Sequence, residues 1–173
     1  MAQKATWRFT PPGPLGFGGG PLGNMFGPVT EEAAESTLHA AWDAGIRYFD
    51  TAPLYGTALS EHRFGKAMRA YPRDQFVLST KVGRLLRPNP ASEGNFGPFV
   101  GGLPFDVVHD YGADAALRAV DDSLQRLGMA QHGRPRHARR AHVAAEVGLE
   151  NPAEPDGAAS CATMNSASTS LTP

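Results

Sequence analysis

Residues 46–50 (IRYFD) and 76–81 (FVLSTK) are apolar runs of strand length; each follows a stretch of helical period, and each ends on a charged side chain. A strand followed by a helix and a second strand crosses over right-handedly, so the two strands lie parallel. Parallel sheets are covered on both faces or closed into a barrel, and functional groups of a (β/α) barrel sit at the carboxyl ends of its strands. The pattern therefore predicts an α/β chain with Asp50 and Lys81 at one rim. The flanking elements agree. A short apolar stretch over 15–19 can begin the sheet. Thr30 can cap a helix whose first turn holds Glu31 and Glu32, with Ala34, Leu38, Ala41 and Trp42 at helical spacing and Gly45 at its left-handed end. A second helix is expected over 59–69 with Phe64, Ala67 and Met68 inward, and with Ser60 as its cap and Glu61 favouring its dipole. A third is expected over 113–127, with Leu117, Val120, Leu124 and Leu127 as its apolar stripe and Gly128 as its stop. Residues 84–109, rich in Gly and Pro, read as one long loop that can shape a pocket.

Composition changes sharply near Met129. Every aromatic residue lies before it, the last being Tyr111, and the remaining residues contain no Phe, Trp, Tyr or Ile. That divides the chain into 1–129, a partial barrel of about three βα units, and 130–173, a tail too poor in large apolar groups to offset the entropy of ordering it. Within the tail, 138–149 is alanine-rich and reads as a frayed helix, and 151–173 as disordered. The whole chain carries a formal net charge of −1 over 173 residues. This excludes binding to nucleic acid or a membrane surface by bulk charge. No apolar run reaches the roughly 20 residues of a membrane span, no secretory signal is visible, and a single cysteine, Cys161, cannot staple the chain internally. A cytoplasmic location is expected.

Asp50, Tyr55 and Lys81 are the residues with chemistry to offer. If the two strands are neighbours, the three side chains converge at one mouth. An ammonium beside a phenol favours the phenolate, and a carboxylate would hold that ammonium charged and oriented. Such a set suits proton exchange with a carbonyl or hydroxyl oxygen while hydride moves at the carbon. Spacing alone also permits an ordinary Asp–Lys surface pair with an unrelated tyrosine.

The wording of the motifs goes further. GIRYFDTAPLYG (45–56), LSEHRFGKAM (59–68), FVLSTKVGRLLRP (76–88) and FVGGLPFDVVHDYGADAALRAVDDSLQRLG (99–128) together resemble the aldo-keto reductase family, in the branch that includes D-threo-aldose, L-fucose and pyridoxal dehydrogenases. The resemblance covers about residues 15–128. It implies the N-terminal part of a (β/α)₈ barrel that takes NADP or NAD, and a small sugar, alcohol or carbonyl substrate. It implies that Asp50, Tyr55 and Lys81 are catalytic, Tyr55 as the acid/base, and that Gly19, Gly20, Pro21 and Leu22, with Asp50, lie near the nicotinamide. By residue pattern alone, 19–22 is equally a flexible turn; the 11–24 stretch lacks the lysine and spacing of a phosphate loop. The family's fourth catalytic group is a histidine closing the next strand. His132, His137 and His142 close no apolar run, and none takes that role.

A complete barrel needs about 250 residues, so weak cofactor binding, little turnover and poor solubility are expected of this chain. Its open strand edge also suggests an alternative, a non-catalytic interaction module. A shifted reading frame or misassigned gene end after about Met129 is the expected origin of the tail, since Ala, Arg, Gly and Pro have GC-rich codons. The histidines with Arg134, Arg136, Arg139 and Arg140 lack metal-site spacing and read as a solvated run, and no metal site is expected. The sequence leaves the oligomeric state open.

Overall fold

The structure, a computed structural model, describes residues 12–129 and the strand Ala141–Ala145. His132, His137, the four tail arginines, Cys161 and the 151–173 segment lie outside the described residues.

Among the described residues, four parallel strands form one sheet in the order β1 (Phe17–Gly18), β2 (Tyr48–Asp50), β3 (Val77–Val82) and β6 (Ala141–Ala145). Helix α1 (Glu31–Asp43) connects β1 to β2, α2 (Leu59–Met68) connects β2 to β3, and α3 (Ala113–Arg126) precedes β6. This is the βα alternation that the sequence predicts.

Local chemistry sets the ends of α1. Thr30 Oγ1 accepts the Ala33 N–H at 3.2 Å, and Glu31 and Glu32 occupy the positive end of the helix. Gly45 at φ +86° lets its N–H reach Trp42 O and the Ile46 N–H reach Ala41 O, at 2.9 and 3.0 Å. This left-handed exit turns the chain directly into β2.

Side chains alternate across a strand, so β2 and β3 each present two sets of residues. Phe49 and Leu78 face the helices. There they join Leu38, Ala41, Phe64, Met68 and Phe76 in the core, with Phe49 edge-on to both Phe64 and Phe76 at 6.2 Å. Burying each such phenyl ring stabilises the fold by about 1.5–3 kcal/mol. The opposite set, Tyr48 and Asp50 with Ser79 and Lys81, is polar and occupies the other face.

The structure departs from the sequence reading in five places. Ser60 does not cap α2: the capping position is Ala58 with no side-chain bond, and Ser60 is buried, donating to Gly19 O and bonded to Thr51 Oγ1. Glu61 lies in the first turn but is 0% exposed, held by Arg126 and Thr80. The 84–109 loop contains an antiparallel ribbon of β4 (Arg84–Pro88) and β5 (Phe105–His109), paired from Arg84↔His109 to Pro88↔Phe105. Helix α3 buries Ala115, Ala119 and Ser123 rather than a leucine stripe; Leu117 is exposed and only Leu127, just past the helix, joins the core. Finally, 141–145 is strand and not helix. It pairs with β3 from Leu78↔Ala141 to Val82↔Ala145, which moves the open edge of the sheet from β3 to β6. Ladder bonds along β3 outweigh the helix propensity of alanine there.

Candidate active site

Asp50 closes β2 and Lys81 lies one residue short of the end of β3, both at the carboxyl rim of the sheet. Register pairs Asp50 with Ser79, so Lys81 stands one pleat further along the same face. Lys81 Nζ donates to Asp50 Oδ2 at 2.7 Å, to Tyr55 Oη at 3.0 Å and to Thr51 O at 3.2 Å. The lysine side chain is 16% exposed and that of Asp50 29% exposed, so the pair sits at a wet rim and not in the dry core. Burial alone would pull the Lys81 ammonium below the ordinary lysine range. The hydrogen bond and charge of Asp50, joined by the bond to Tyr55, outweigh it and hold the group above that range.

Tyr55 owes its position to a tight turn. After β2 the chain bonds back on itself through Tyr55 N–H to Ala52 O and Ala58 N–H to Pro53 O, and residues 56–58 all have positive φ. At Gly56 a Cβ would stand 2.5 Å from Gly23 O, and at Gly23 a Cβ would stand 2.4 Å from the Tyr55 carbonyl carbon. Two backbones in contact leave no room for a side chain at either position. The excursion between β4 and β5 then folds over the turn. Thr57 Oγ1 donates to Leu103 O at 2.6 Å, and buried Phe99 stacks on the Tyr55 ring at 5.5 Å.

The Asp50 carboxylate has a second partner set. Ser79 Oγ donates to Oδ1 at 2.5 Å and receives the Tyr48 hydroxyl at 3.1 Å. A cleft opens beside Tyr55 and Lys81, lined also by Ala52, Pro53, Leu54, Val82 and Arg84. Arg84 Nε is buried and has no hydrogen-bond partner among the described residues. Such an orphan donor is costly unless a ligand or water satisfies it.

Asp50, Tyr55 and Lys81 are thus brought together. Gly19, Gly20 and Leu22 are buried behind them and Pro21 is exposed; the Gly19 N–H donates to Asp50 O at 2.7 Å, which fixes this segment beside the site. Sequence reasoning missed Ser79, Tyr48, Arg84 and Phe99. Strand parity could have found the first two, since each is two residues before a charged strand end. Among the described residues no cluster of three or more His, Cys, Asp or Glu could hold a metal ion, and no helix is long and apolar enough to cross a membrane.

Residues 14–133 match the model of the aldo/keto reductase family. A D-threo-aldose 1-dehydrogenase from a Pseudomonas species is 58% identical over 124 residues, 66% of this chain and 36% of that protein. Pyridoxal 4-dehydrogenase of Microbacterium luteolum is 44% identical over 123 residues, again 66% of this chain and 36% of the relative. A solved aldo-keto reductase from Bacillus halodurans, in its holo form, is 33% identical with a TM-score of 0.49, over 66% of this chain and 32% of that one. The chain spans about a third of the length of these two curated relatives.

Proposed function

The chain belongs to the aldo/keto reductase family, and from that premise we propose that Asp50, Tyr55 and Lys81 are the acid–base part of a site for hydride transfer between NAD or NADP and a sugar or alcohol carbon. The supporting observation is the position of Lys81 Nζ, within hydrogen-bond reach of both Asp50 and Tyr55 at the carboxyl rim of parallel strands. In reduction, Tyr55 Oη gives its proton to the substrate carbonyl oxygen, and the ammonium 3.0 Å away stabilises the negative charge left on the phenol oxygen. In oxidation Tyr55 takes the proton from a hydroxyl. Asp50 keeps Lys81 charged throughout.

Gly19, Gly20, Pro21, Leu22 and Asp50 would hold the nicotinamide end of the cofactor. At Gly19 a Cβ would strike the core Phe64 ring at 2.4 Å and Asp50 O at 2.8 Å, so only glycine lets this segment pack against the end of β2 beside Asp50. When bound, the nicotinamide supplies or accepts the hydride. Arg84 Nε–H, buried in the lining of the same cleft, would meet an acceptor oxygen of the substrate, which favours an oxygen-rich molecule such as a sugar.

Titrating the full chain with NADPH and with NADH, while following its intrinsic fluorescence, tests the proposal. Saturable quenching is expected, with slow aldose-dependent formation of reduced nucleotide. Tyr55→Phe is expected to keep the quenching and lower the rate by about 10²–10⁴-fold. A chain that answers to neither nucleotide refutes the proposal and favours a non-catalytic interaction module.

A further inference from the structure

Both oxygens of the Asp50 carboxylate are occupied. Oδ2 accepts from Lys81 Nζ at 2.7 Å, and Oδ1 accepts from Ser79 Oγ at 2.5 Å. Ser79 in turn receives the Tyr48 hydroxyl at 3.1 Å and is only 1% exposed, so its own hydroxyl has little solvent to turn toward. The four residues Tyr48, Asp50, Ser79 and Lys81 share one face of two paired strands, in a register that sets Asp50 opposite Ser79. The terminal torsion of an aspartate is soft and roughly two-fold, so the strand alone does not fix the plane of its carboxylate. A donor on each oxygen does.

We propose that Ser79 and Tyr48 are positioning residues: they lock the Asp50 carboxylate so that its other oxygen holds Lys81 within reach of Tyr55. The inference rests on the assignment of Asp50, Lys81 and Tyr55 as one working set. Neither Ser79 nor Tyr48 lines the cleft, so they act through Asp50 and not on the substrate. A competing role has the opposite sign. If Ser79 served mainly to draw charge from the carboxylate, its removal would strengthen the hold of Asp50 on Lys81.

The two roles separate in the reactivity of the Lys81 amine, which needs no turnover. The full chain is labelled with trace acetic anhydride across the alkaline range, and label at Lys81 is counted by mass spectrometry against Lys66 in the same digest. Lys66 pairs with Glu35 at 2.8 Å and is the internal reference. Ser79→Ala is expected to raise the Lys81:Lys66 ratio by about tenfold, the equilibrium equivalent of one hydrogen bond to a charged group. Tyr48→Phe is expected to raise it less, and Ser79→Thr, which keeps the donor, to restore it. An unchanged or lowered ratio in Ser79→Ala, in a chain that melts as the parent does, overturns the inference. If Ser79→Ala does not fold, Tyr48→Phe decides in its place, because it removes one oxygen and keeps the ring. Asp50→Asn distinguishes the two levels of the argument. A ratio unmoved by Asp50→Asn refutes the three-residue assignment itself, and a ratio moved by Asp50→Asn but by neither Ser79→Ala nor Tyr48→Phe refutes only the positioning role.

Discussion

Replacing Glu61 by glutamine asks what a carboxylate is doing in the first turn of α2. An exposed acid at a helix N-terminus contributes about 0.3–1 kcal/mol through the helix dipole. Glu61 is 0% exposed, accepts from Arg126 Nε at 2.5 Å and from Thr80 Oγ1 at 2.7 Å, and so ties α2 to both α3 and β3. Removing one partner of a buried ion pair costs about 3–5 kcal/mol, because the other charge is left uncompensated. Arg126 retains Ser123 Oγ at 3.0 Å and is 14% exposed, which sets the expected loss at the lower end, about 3 kcal/mol. Urea unfolding of the full chain followed by far-ultraviolet circular dichroism measures it. The midpoint should fall with little change in slope, since the surface exposed on unfolding is nearly the same. Glu61→Met combined with Arg126→Leu should recover most of the loss, because an apolar pair of similar volume no longer buries an unpaired charge. A Glu61→Gln loss under about 1 kcal/mol, or a double variant no more stable than the single one, would refute the buried-pair account and return Glu61 to the dipole role.

Two further outcomes are expected. Gly56→Ala forces a Cβ to 2.5 Å from Gly23 O at a φ of +63° and should destabilise the chain by about 2–4 kcal/mol, seen as a lowered urea midpoint; an unchanged midpoint would mean that the two loops can separate freely. Lys81 has its folded-state pKa raised, so its stabilisation is fully present below the ordinary lysine value of 10.5 and is lost as pH rises through the higher folded value. Lys81→Met should therefore flatten the alkaline fall in stability relative to the parent chain, and an identical alkaline slope in both would count against the linkage.

The strands, helices and rim residues were readable because each leaves a local trace. A short apolar run with a terminal charge marks Asp50 and Lys81, and a hydroxyl before two glutamates marks the start of α1. The β4–β5 ribbon leaves no such trace: Arg84 and His109 pair across 25 positions of chain, and Gly and Pro between them read as loop. The buried face of α3 was missed because Ala115, Ala119 and Ser123 are small. Small side chains allow close approach to neighbouring elements but carry almost no hydrophobic signal, whereas exposed Leu117 carries a strong one. At Ser60 and Glu61 the local rule for helix starts was sound, and tertiary contacts from Gly19, Thr51, Thr80 and Arg126 overrode it. The strand at 141–145 is likewise set by a neighbour that its own composition does not announce.

The ribbon has a consequence for how such a cleft diversifies. Asp50 and Lys81 are carried by parallel strands whose other face is locked into the core, while Arg84 lines the cleft from the start of β4, just after Gly83 at φ +97°, and Phe99 of the excursion stacks on Tyr55. The candidate acid–base pair and the cleft-lining Arg84 therefore lie on separate strands. Exchanging the excursion would reshape the mouth while Asp50 and Lys81 stay seated on the wall, and any replacement would have to rebuild the Phe99 and Leu103 contacts that hold the Tyr55 turn.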